Sequence, residues 1–289
     1  MLEAAAAPCG CILERMSNSL LWAKLAEWGY HIPGSERPDF VLFWDKDLRL
    51  AAELERQDLR LYNSAAAIEA CDDKSLTWLI CRHAGIPQPE SIISPKKFHA
   101  DGLMDPDFVF RAEALFGFPC VVKEAFGSFG QQVYLVKDRK ELENVIVSIG
   151  ERPYLIQRFV AASRGRDLRL QVVGDEVIAA MLRENDSDFR ANLTNGGHAT
   201  DYTALLTREQ RDLAVRAAKV LGLDFAGVDL LFGENGESLL CEVNSNAHFK
   251  NLFDCTGVNA AEHILRHIIN KTAQDRKEND HEKTGTVII

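Results

Sequence analysis

Residues 239–251 read LLCEVNSNAHFKN, an apolar strand that ends in a carboxylate and an amide. Because side chains alternate along a strand, Glu242 and Asn244 point to the same side of it. Upstream, the stretch AGVDLLF places Asp229 in another apolar strand, and an Asn-Gly pair at 235–236 predicts a hairpin between the two strands. The hairpin can bring all three oxygen-bearing side chains to one face.

Two explanations account for these oxygens. Mg²⁺ takes oxygen ligands in proteins, usually one or two carboxylates together with substrate phosphates. Alternatively, buried arginines neutralise Asp229 and Glu242, because two buried carboxylates without cationic partners are costly. Both explanations require positive charge beside the hairpin, and the hairpin residues alone do not decide between them.

A second feature is the glycine-containing loop in VVKEAFGSFGQQVYLV, residues 121–136. Lys123 ends an apolar strand, and Gly127 and Gly130 flank a turn before the next strand. Backbone N–H groups of such a turn can hold phosphate, and a strand-end lysine adds a point charge. An ordinary hairpin loop explains the same residues. Neither G-x-x-x-x-G-K-[ST] nor G-x-G-x-x-G is present, which excludes a P-loop and a Rossmann-type oxidoreductase.

Four further stretches of the chain carry polar residues that could belong to the same site. Lys74 begins a helix in DDKSLT, where a solvated lysine is the alternative explanation. The QRF triplet at 157–159 ends another apolar strand, and Asp167 follows. Arg190 and Asn192 stand two residues apart in DFRANLTNGG. An arginine beside a metal–phosphate site would stabilise charge that develops during phosphoryl or acyl transfer.

Together these motifs resemble one known family. The succession of DDKSLT, FPCVVKEAFGSFGQQVYLV, LIQRFV, GRDLRLQVVG, DFRANLTNGG, AGVDLLF and CEVNS is similar to the ATP-grasp superfamily, specifically its RimK-like carboxylate–amine ligases. The resemblance implies a chain of mixed α/β and α+β class. ATP would lie between two α+β subdomains of an ATP-grasp fold, after a small α/β N-terminal domain.

The resemblance and the local patterns together predict a domain division. A strand–helix–strand pattern near the N-terminus favours a small α/β domain over 1–70. The ATP-grasp domain would occupy 71–272, with subdomains at 71–160 and 161–272. The charged, aperiodic segment 273–289 predicts a disordered tail.

The resemblance implies ATP and Mg²⁺ as cofactors, with Mn²⁺ as a substitute. Lys74 and Lys123 would contact phosphates, the glycine loop would close over them, 157–159 would hold adenine, and Asp167 would meet the ribose. The implied ATP-binding residues are Lys74, Lys123, Gly127, Ser128, Gly130, Gln157, Arg158, Phe159 and Asp167. Those at the reacting centre are Arg190 and Asn192, and the metal ligands are Asp229, Glu242 and Asn244.

The implied reaction is amide formation. ATP phosphorylates a carboxylate to an acyl phosphate, and an amine then attacks it; the substrate would be an amino acid, a peptide or a protein terminus. The alternative is a nucleotide-binding regulator of the same fold that forms no bond. Retention of the three metal-ligand candidates and Arg190 favours the enzyme.

Two departures from the family pattern bear on the site. Arg158 stands where relatives commonly have a glutamate, so backbone contacts to adenine would survive but a side-chain contact would not. After Asn244, SNAHFKN replaces the small residue, Pro and Gly of relatives. We therefore expect His248, Phe249 and Lys250 in a substrate-specific wall, with Lys250 able to bind a substrate carboxylate.

Composition excludes several classes of partner. The net charge of −10 and pI near 5.3 disfavour nucleic acid, because neutralising phosphates needs a basic face. No apolar run approaches the length of a membrane span, and no signal peptide is recognisable, so we expect a cytoplasmic protein. The seven cysteines lack C-x-x-C spacing and are expected to be reduced. Family membership would allow a homo-oligomer.

Overall fold

The computed structural model describes residues 1–28, 38–96, 105–127, 130–193 and 196–284. The strands within these ranges are β1 (Val41–Leu42), β2 (Leu61–Tyr62), β3 (Ser91–Ile93), β4 (Cys120–Glu124), β5 (Val133–Val136), β6 (Tyr154–Arg158), β7 (Arg166–Val173), β8 (Glu176–Glu184), β9 (His198–Asp201), β10 (Phe225–Phe232) and β11 (Ser238–Asn244). The helices are α1 (Leu2–Ala6), α2 (Asn18–Trp28), α3 (Leu48–Arg56), α4 (Ala65–Asp72), α5 (Lys74–His83), α6 (Pro106–Phe116), α7 (Arg139–Ile149), α8 (Arg208–Val220), α9 (Lys250–Thr256) and α10 (Ala260–Thr284). No helix in the described part of the chain is long and apolar enough to cross a membrane.

Five antiparallel strands form the larger sheet, in the order β11-β10-β7-β8-β9. The β10–β11 pair is the hairpin predicted from Asn235-Gly236, and the β7–β8 pair is a second hairpin, which the Gly174-Asp175 pair between two apolar runs also predicts. Their turns contain Gly174 and Gly236, whose φ angles of 58° and 86° lie in the left-handed region that glycine adopts without steric cost. One face is apolar, and Leu170 and Val228 pack there with Ala214 of α8. The opposite face is therefore left to form the site.

The smaller sheet has the order β3-β6-β4-β5 and is also antiparallel. Its outer face carries Val122 and Ile156, which pack with residues of α6 and α7 such as Ile146. Because side chains alternate, Lys123 and Gln157 point from the inner face. The inner face is turned toward the larger sheet.

A small N-terminal unit completes the fold. β1 and β2 are parallel neighbours joined through α3, as the strand–helix–strand pattern predicts. Leu50, Leu54 and Ile68 form its fully buried core. Trp44 of this unit stacks on Phe225 of β10 with ring centroids 5.5 Å apart. The unit is thus packed against the end of the larger sheet.

One buried amide joins the N-terminal unit to that sheet. Asn63 is fully buried, and its Nδ2 donates to Phe225 O at 2.9 Å and Ser245 O at 3.1 Å. Its Oδ1 accepts from the backbone N–H of Asp224 at 2.7 Å and of Phe225 at 3.3 Å. Both ends of the amide are therefore satisfied by backbone groups at the start of β10 and just after β11.

The C-terminal segment differs from the sequence expectation. A disordered tail is predicted at 273–289, but α10 continues through Thr284, and 285–289 lie outside the described residues. Just before this segment, the Thr272 and Tyr62 hydroxyls are hydrogen-bonded at 3.1 Å, which joins α10 to the N-terminal unit. The segment is also rich in Ala, Gln, Lys, Arg and Glu, which have high helix propensity even where no apolar periodicity is present.

Replacing Asn63 with alanine should destabilise the protein by about 3 kcal/mol, because four backbone hydrogen bonds are lost and buried groups stay unsatisfied. Urea unfolding followed by circular dichroism measures this loss. Asn144→Ala, on an exposed face of α7, is the control and should change stability by less than about 0.5 kcal/mol. An Asn63→Ala protein as stable as the control would contradict the role given to this amide.

Candidate functional site

The two sheets face each other across a cleft of about 900 Å³, counted with its space open to solvent. The cleft lining includes twelve of the residues predicted from the sequence: Lys74, Lys123, Gly127, Gly130, Gln157, Arg158, Phe159, Asp167, Arg190, Asn192, Asp229 and Glu242. Asn244 follows Glu242 by two residues on β11 and is not part of this lining. The prediction for Ser128 falls outside the described residues.

Strand register brings the floor of the cleft together. Asp229 on β10 is the direct partner of Glu242 on β11 and of Arg169 on β7. The register between β10 and β11 shifts after Asp229. This bulge places Cys241 in the cleft lining beside Glu242, although strict alternation would point it to the other face.

Asp229 is paired with two arginines at this floor. Both of its carboxylate oxygens accept hydrogen bonds from Arg169, and Arg183 Nη2 lies 3.0 Å from Asp229 Oδ2. Arg183 also donates to the two oxygens of Asp167, each at 2.7 Å. These four side chains, whose charges alternate, are at most 15% exposed. The arginine explanation therefore holds for Asp229.

The network fixes the ionisation of its carboxylates. Burial opposes the charge on Asp229, but Arg169 and Arg183 outweigh it and hold the pKa of Asp229 below its usual range. The sequence predicts a ribose contact for Asp167, whereas the structure gives both of its oxygens to Arg183. Burial raises the pKa of Asp167, and the neighbouring charge of Asp229 adds to that rise. Sequence reasoning missed both arginines, although Arg169 stands two residues after Asp167 in DLR.

Two lysines stand on the cleft side of the hairpin. Lys74 Nζ lies 3.1 Å from Gly127 O and 3.7 Å from Glu242 Oε1, and its side chain is 14% exposed. It is therefore directed into the cleft and is not a solvated helix lysine. Lys123 Nζ lies 3.7 Å from Cys241 Sγ. Burial raises the pKa of the Cys241 thiol to about 11, so the thiol is protonated at neutral pH.

Arg190 and Asn192 meet the glycine loop from the larger-sheet side. Arg190 donates to Gly130 O and forms an ion pair with Asp188 at 2.6 Å. A Cβ added to Gly130 would lie 3.0 Å from Asn192 Oδ1, and the φ angle of Gly130 is 71°. The left-handed backbone conformation favours glycine at this position, and a side chain here would also crowd Asn192. Two motifs that are distant in sequence converge here.

The residues predicted to hold adenine lie at the end of β6. Gln157 is buried and donates to Ser91 Oγ at 2.9 Å. Arg158 makes two hydrogen bonds to Glu90 Oε2, at 2.9 and 2.6 Å, so its charge is paired at the rim. Phe159 also lines the cleft. Arg158, which stands where relatives commonly have a glutamate, is therefore neutralised by Glu90 in the loop before β3.

Contrary to the expectation from the sequence, the segment after β11 does not line this cleft. Phe249 is buried with its ring 5.4 Å from that of Trp44, edge to face, because the segment packs against the N-terminal unit. Lys250 begins α9 and is paired with Asp254 on the same exposed helix face. His248 is exposed. None of the three predicted wall residues is part of the described cleft lining.

The donor set at the hairpin fits a metal that arrives with phosphate. The described residues contain no group of three His, Cys, Asp or Glu side chains that could hold an ion by themselves. Asp229, Glu242 and Asn244 nevertheless offer oxygen ligands of the kind that Mg²⁺ shares with nucleotide phosphates. The Nδ2 of Asn244 is buried and has no hydrogen-bond partner among the described residues. Since Asp229 is already neutralised, a metal without an anionic companion is disfavoured here.

The cleft is positive in an acidic protein. Three carboxylates of the described lining, those of Asp167, Asp229 and Glu242, face a larger number of cations. Those cations are Lys74, Lys123, Arg158, Arg166, Arg183 and Arg190, of which Arg158 and Arg190 are paired with Glu90 and Asp188 outside the lining. The chain as a whole carries a net charge of −10. Such a local excess of positive charge attracts a polyanionic ligand.

Replacing Arg183 with methionine should cost about 3–5 kcal/mol of stability at neutral pH, because Asp167 and Asp229 lose a shared buried cation. Arg208→Met, whose side chain is 92% exposed, is the control and should change little. In Arg183→Met the folded-state pKa of Asp167, already raised by burial, should rise further above its unfolded value, because both of its oxygens lose Arg183. The deficit should then shrink as pH falls and Asp167 takes up a proton on folding. Chemical unfolding at two pH values measures this, and an unchanged Arg183→Met protein would contradict the network.

Comparison with known proteins places the chain in a family. The RimK-like ATP-grasp domain model matches residues 71–268. The chain is 33% identical over 253 residues to probable alpha-L-glutamate ligase 1 of Shewanella frigidimarina, covering 82% of this chain and 79% of that protein. It is 34% identical over 208 residues to N-acetylaspartylglutamate synthase A of Homo sapiens, covering 71% of this chain and 51%, about half, of that relative. A RimK domain ATP-grasp protein from Sphaerobacter thermophilus shares the fold, with a TM-score of 0.65 and 22% identity over 92% and 93% of the two chains. The chain therefore belongs to the RimK-like ATP-grasp family, and it is an ATP-dependent carboxylate–amine ligase.

Proposed function

We propose that this ligase joins the carboxylate of a small molecule, a peptide or a protein terminus to the amine of an amino acid, and that L-glutamate is the first amine to test. The two relatives described above are named for glutamate or for a glutamate-containing compound. The observation that carries the proposal is the excess of cations around the paired Asp229 and Glu242, which suits a nucleotide together with its metal.

The nucleotide would bind between the two sheets. Lys74 and Lys123 would contact its phosphates, and the loop from Gly127 to Gly130 would cover them. The strand end at 157–159 would receive adenine through backbone groups. This assignment is supported by the position of the described members of this set around one cleft, where Lys74 lies near Glu242 and Lys123 near Cys241.

The metal would be held by Glu242, Asp229 and Asn244. Mg²⁺ is the proposed ion, and Mn²⁺, which also accepts oxygen ligands, is a proposed substitute. When bound, the ion neutralises charge on the phosphate oxygens. Glu242 is the main protein ligand in this proposal, because its carboxylate is a third exposed and its only ion-pair partner among the described residues is Lys74, at 3.7 Å.

The residues around the reacting atoms would act by position and charge. Arg190 would stabilise the negative charge that develops as the phosphoryl group moves to the substrate carboxylate, and Asn192 would help to orient that carboxylate. The described cleft lining contains no histidine, and its thiol, that of Cys241, is protonated at neutral pH. ATP would activate the carboxylate as an acyl phosphate with release of ADP, and the protein would hold the amine close to it, so that amide formation releases phosphate.

Release of ADP and phosphate, measured over a panel of carboxylates in the presence of L-glutamate and other amino acids, tests the reaction. We expect release to require both substrates and an amide product of matching mass. A protein that binds ATP but releases no ADP with any pair would instead be a nucleotide-binding regulator.

The variant Glu242→Gln should lower kcat/KM about 100-fold or more, because a charged metal ligand becomes a neutral one. Its fold should be unchanged, since Glu242 is partly exposed and the amide has nearly the same shape. Glu237→Gln, at the exposed turn of the same hairpin, is the matched control and should retain wild-type turnover. Wild-type activity of Glu242→Gln would refute the metal assignment.

A further inference from the structure

Two neighbouring residues, Glu90 and Ser91, hold the side chains at the end of β6. The β3–β6 register pairs Ser91 directly with Gln157. The backbone N–H of Arg158 donates to Glu90 O at 2.9 Å. Neither residue of this short segment belongs to the described cleft lining, whereas both of their partners on β6 do. The strand end that would receive adenine is thus held in place from behind.

The first of these pairs turns the side chain of Arg158 away from a ligand. Besides its two hydrogen bonds to Glu90, Arg158 donates from Nη2 to Leu115 O at 2.9 Å. Its guanidinium also lies over the ring of Phe116, 5.8 Å from the ring centroid. Both of these residues end α6, on the outer side of the smaller sheet. A guanidinium has no acceptor atom, so Arg158 cannot receive a hydrogen bond from an amino group of a base.

The second pair holds the amide of Gln157 in one orientation. Gln157 is 5% exposed, and its Nε2 donates to Ser91 Oγ at 2.9 Å. The Ser91 hydroxyl donates in turn to Pro89 O at 3.0 Å, and the indole N–H of Trp78 donates to the same carbonyl at 3.4 Å. Because the one hydroxyl hydrogen is committed to Pro89 O, Ser91 Oγ can only accept from the amide. Turning the amide over would bring two oxygens together with no hydrogen between them.

This orientation leaves the amide oxygen of Gln157 available to a ligand. No described residue donates a hydrogen bond to Oε1, and Oε1 is not among the buried side-chain atoms that lack a partner. It therefore has surface open to the cleft that Gln157 lines. The same lining includes the apolar side chains of Val121, Phe159 and Leu231, which suit the faces of a planar base. The Ser163 hydroxyl in this lining is already bonded to backbone groups on two sides.

We propose that Ser91 is a positioning residue that makes the nucleotide site select adenine over guanine, because it keeps Gln157 Oε1 directed to the base. The inference rests on the proposed function, which places adenine at 157–159, and extends it to base specificity. Adenine carries an amino donor at C6, which Oε1 can accept, whereas guanine carries an oxygen there. A site built to pair with one group discriminates strongly against an analogue that leaves its polar atom unpaired. Guanine would bind well only if the amide turned over, which Ser91 prevents.

Titration calorimetry of the non-hydrolysable analogues AMP-PNP and GMP-PNP into the full chain, each with Mg²⁺, measures this selectivity as a ratio of two dissociation constants. Wild type should bind AMP-PNP at least about 100-fold more tightly. Ser91→Ala frees the amide to donate to guanine, so the ratio should fall about tenfold, mostly through tighter binding of GMP-PNP. Ser94→Ala is the matched control. It removes another buried hydroxyl, which accepts from the backbone N–H of Tyr154, and it should keep the wild-type ratio.

A second variant shows whether Ser91 acts through Gln157. Gln157→Met has no amide to orient, so it should also lose most of the selectivity. Adding Ser91→Ala to Gln157→Met should then change the ratio no further, because the two residues act as one unit. A merely structural role of Ser91 would weaken the binding of both nucleotides and leave their ratio unchanged.

Three results would overturn the proposal. They are a wild-type protein that binds both nucleotides equally, a Ser91→Ala protein that keeps the wild-type ratio, and a double variant whose ratio falls well below that of Gln157→Met. Absence of saturable binding of either nucleotide to wild type would refute the proposed function itself, and the inference with it. These titrations need no turnover, so a failure of the ligase assay is recorded separately.

Discussion

The site depends on the burial of Asp229 between Arg169 and Arg183. A carboxylate that is 5% exposed needs a cationic partner, and two guanidiniums supply it from the neighbouring strands β7 and β8. The same arginine charge also holds Asp167 and leaves the floor of the cleft neutral before any ligand binds. Of the other cations in the described lining, Arg158 and Arg190 are paired with Glu90 and Asp188. Lys74, Lys123 and Arg166 are left against the one remaining carboxylate of that lining, Glu242. The cleft therefore favours a polyanion that carries its own metal over a free metal ion.

Much of this arrangement is readable from the sequence, because it follows from local rules. Alternation places Glu242 and Asn244 on one side of β11, and the glycines at 174 and 236 predict the two hairpins that the structure contains. The division into 1–70, 71–160 and 161–272 stays a prediction, although three separate sheets fall within these ranges.

The parts that sequence reasoning missed depend on strand order. Arg169 meets Asp229 only because β7 is the neighbour of β10, and no local pattern specifies that pairing. Likewise, Phe249 reads as an exposed wall residue until Trp44, some two hundred positions earlier, is packed against it. The continuation of α10 beyond residue 272 was not predicted, because this segment is charged and has no apolar periodicity. Non-local packing decides the first two cases, and helix propensity without apolar periodicity decides the third.

The central claim is that the cleft takes its metal together with the nucleotide. Calorimetric titration of the non-hydrolysable analogue AMP-PNP, with Mg²⁺ or with EDTA, and of Mg²⁺ alone, tests it most directly. Saturable binding of AMP-PNP that is at least about tenfold tighter with Mg²⁺, and no saturable binding of Mg²⁺ alone, is the predicted result. Saturable binding of Mg²⁺ alone that Glu242→Gln abolishes, or nucleotide affinity that is indifferent to Mg²⁺, would contradict the account.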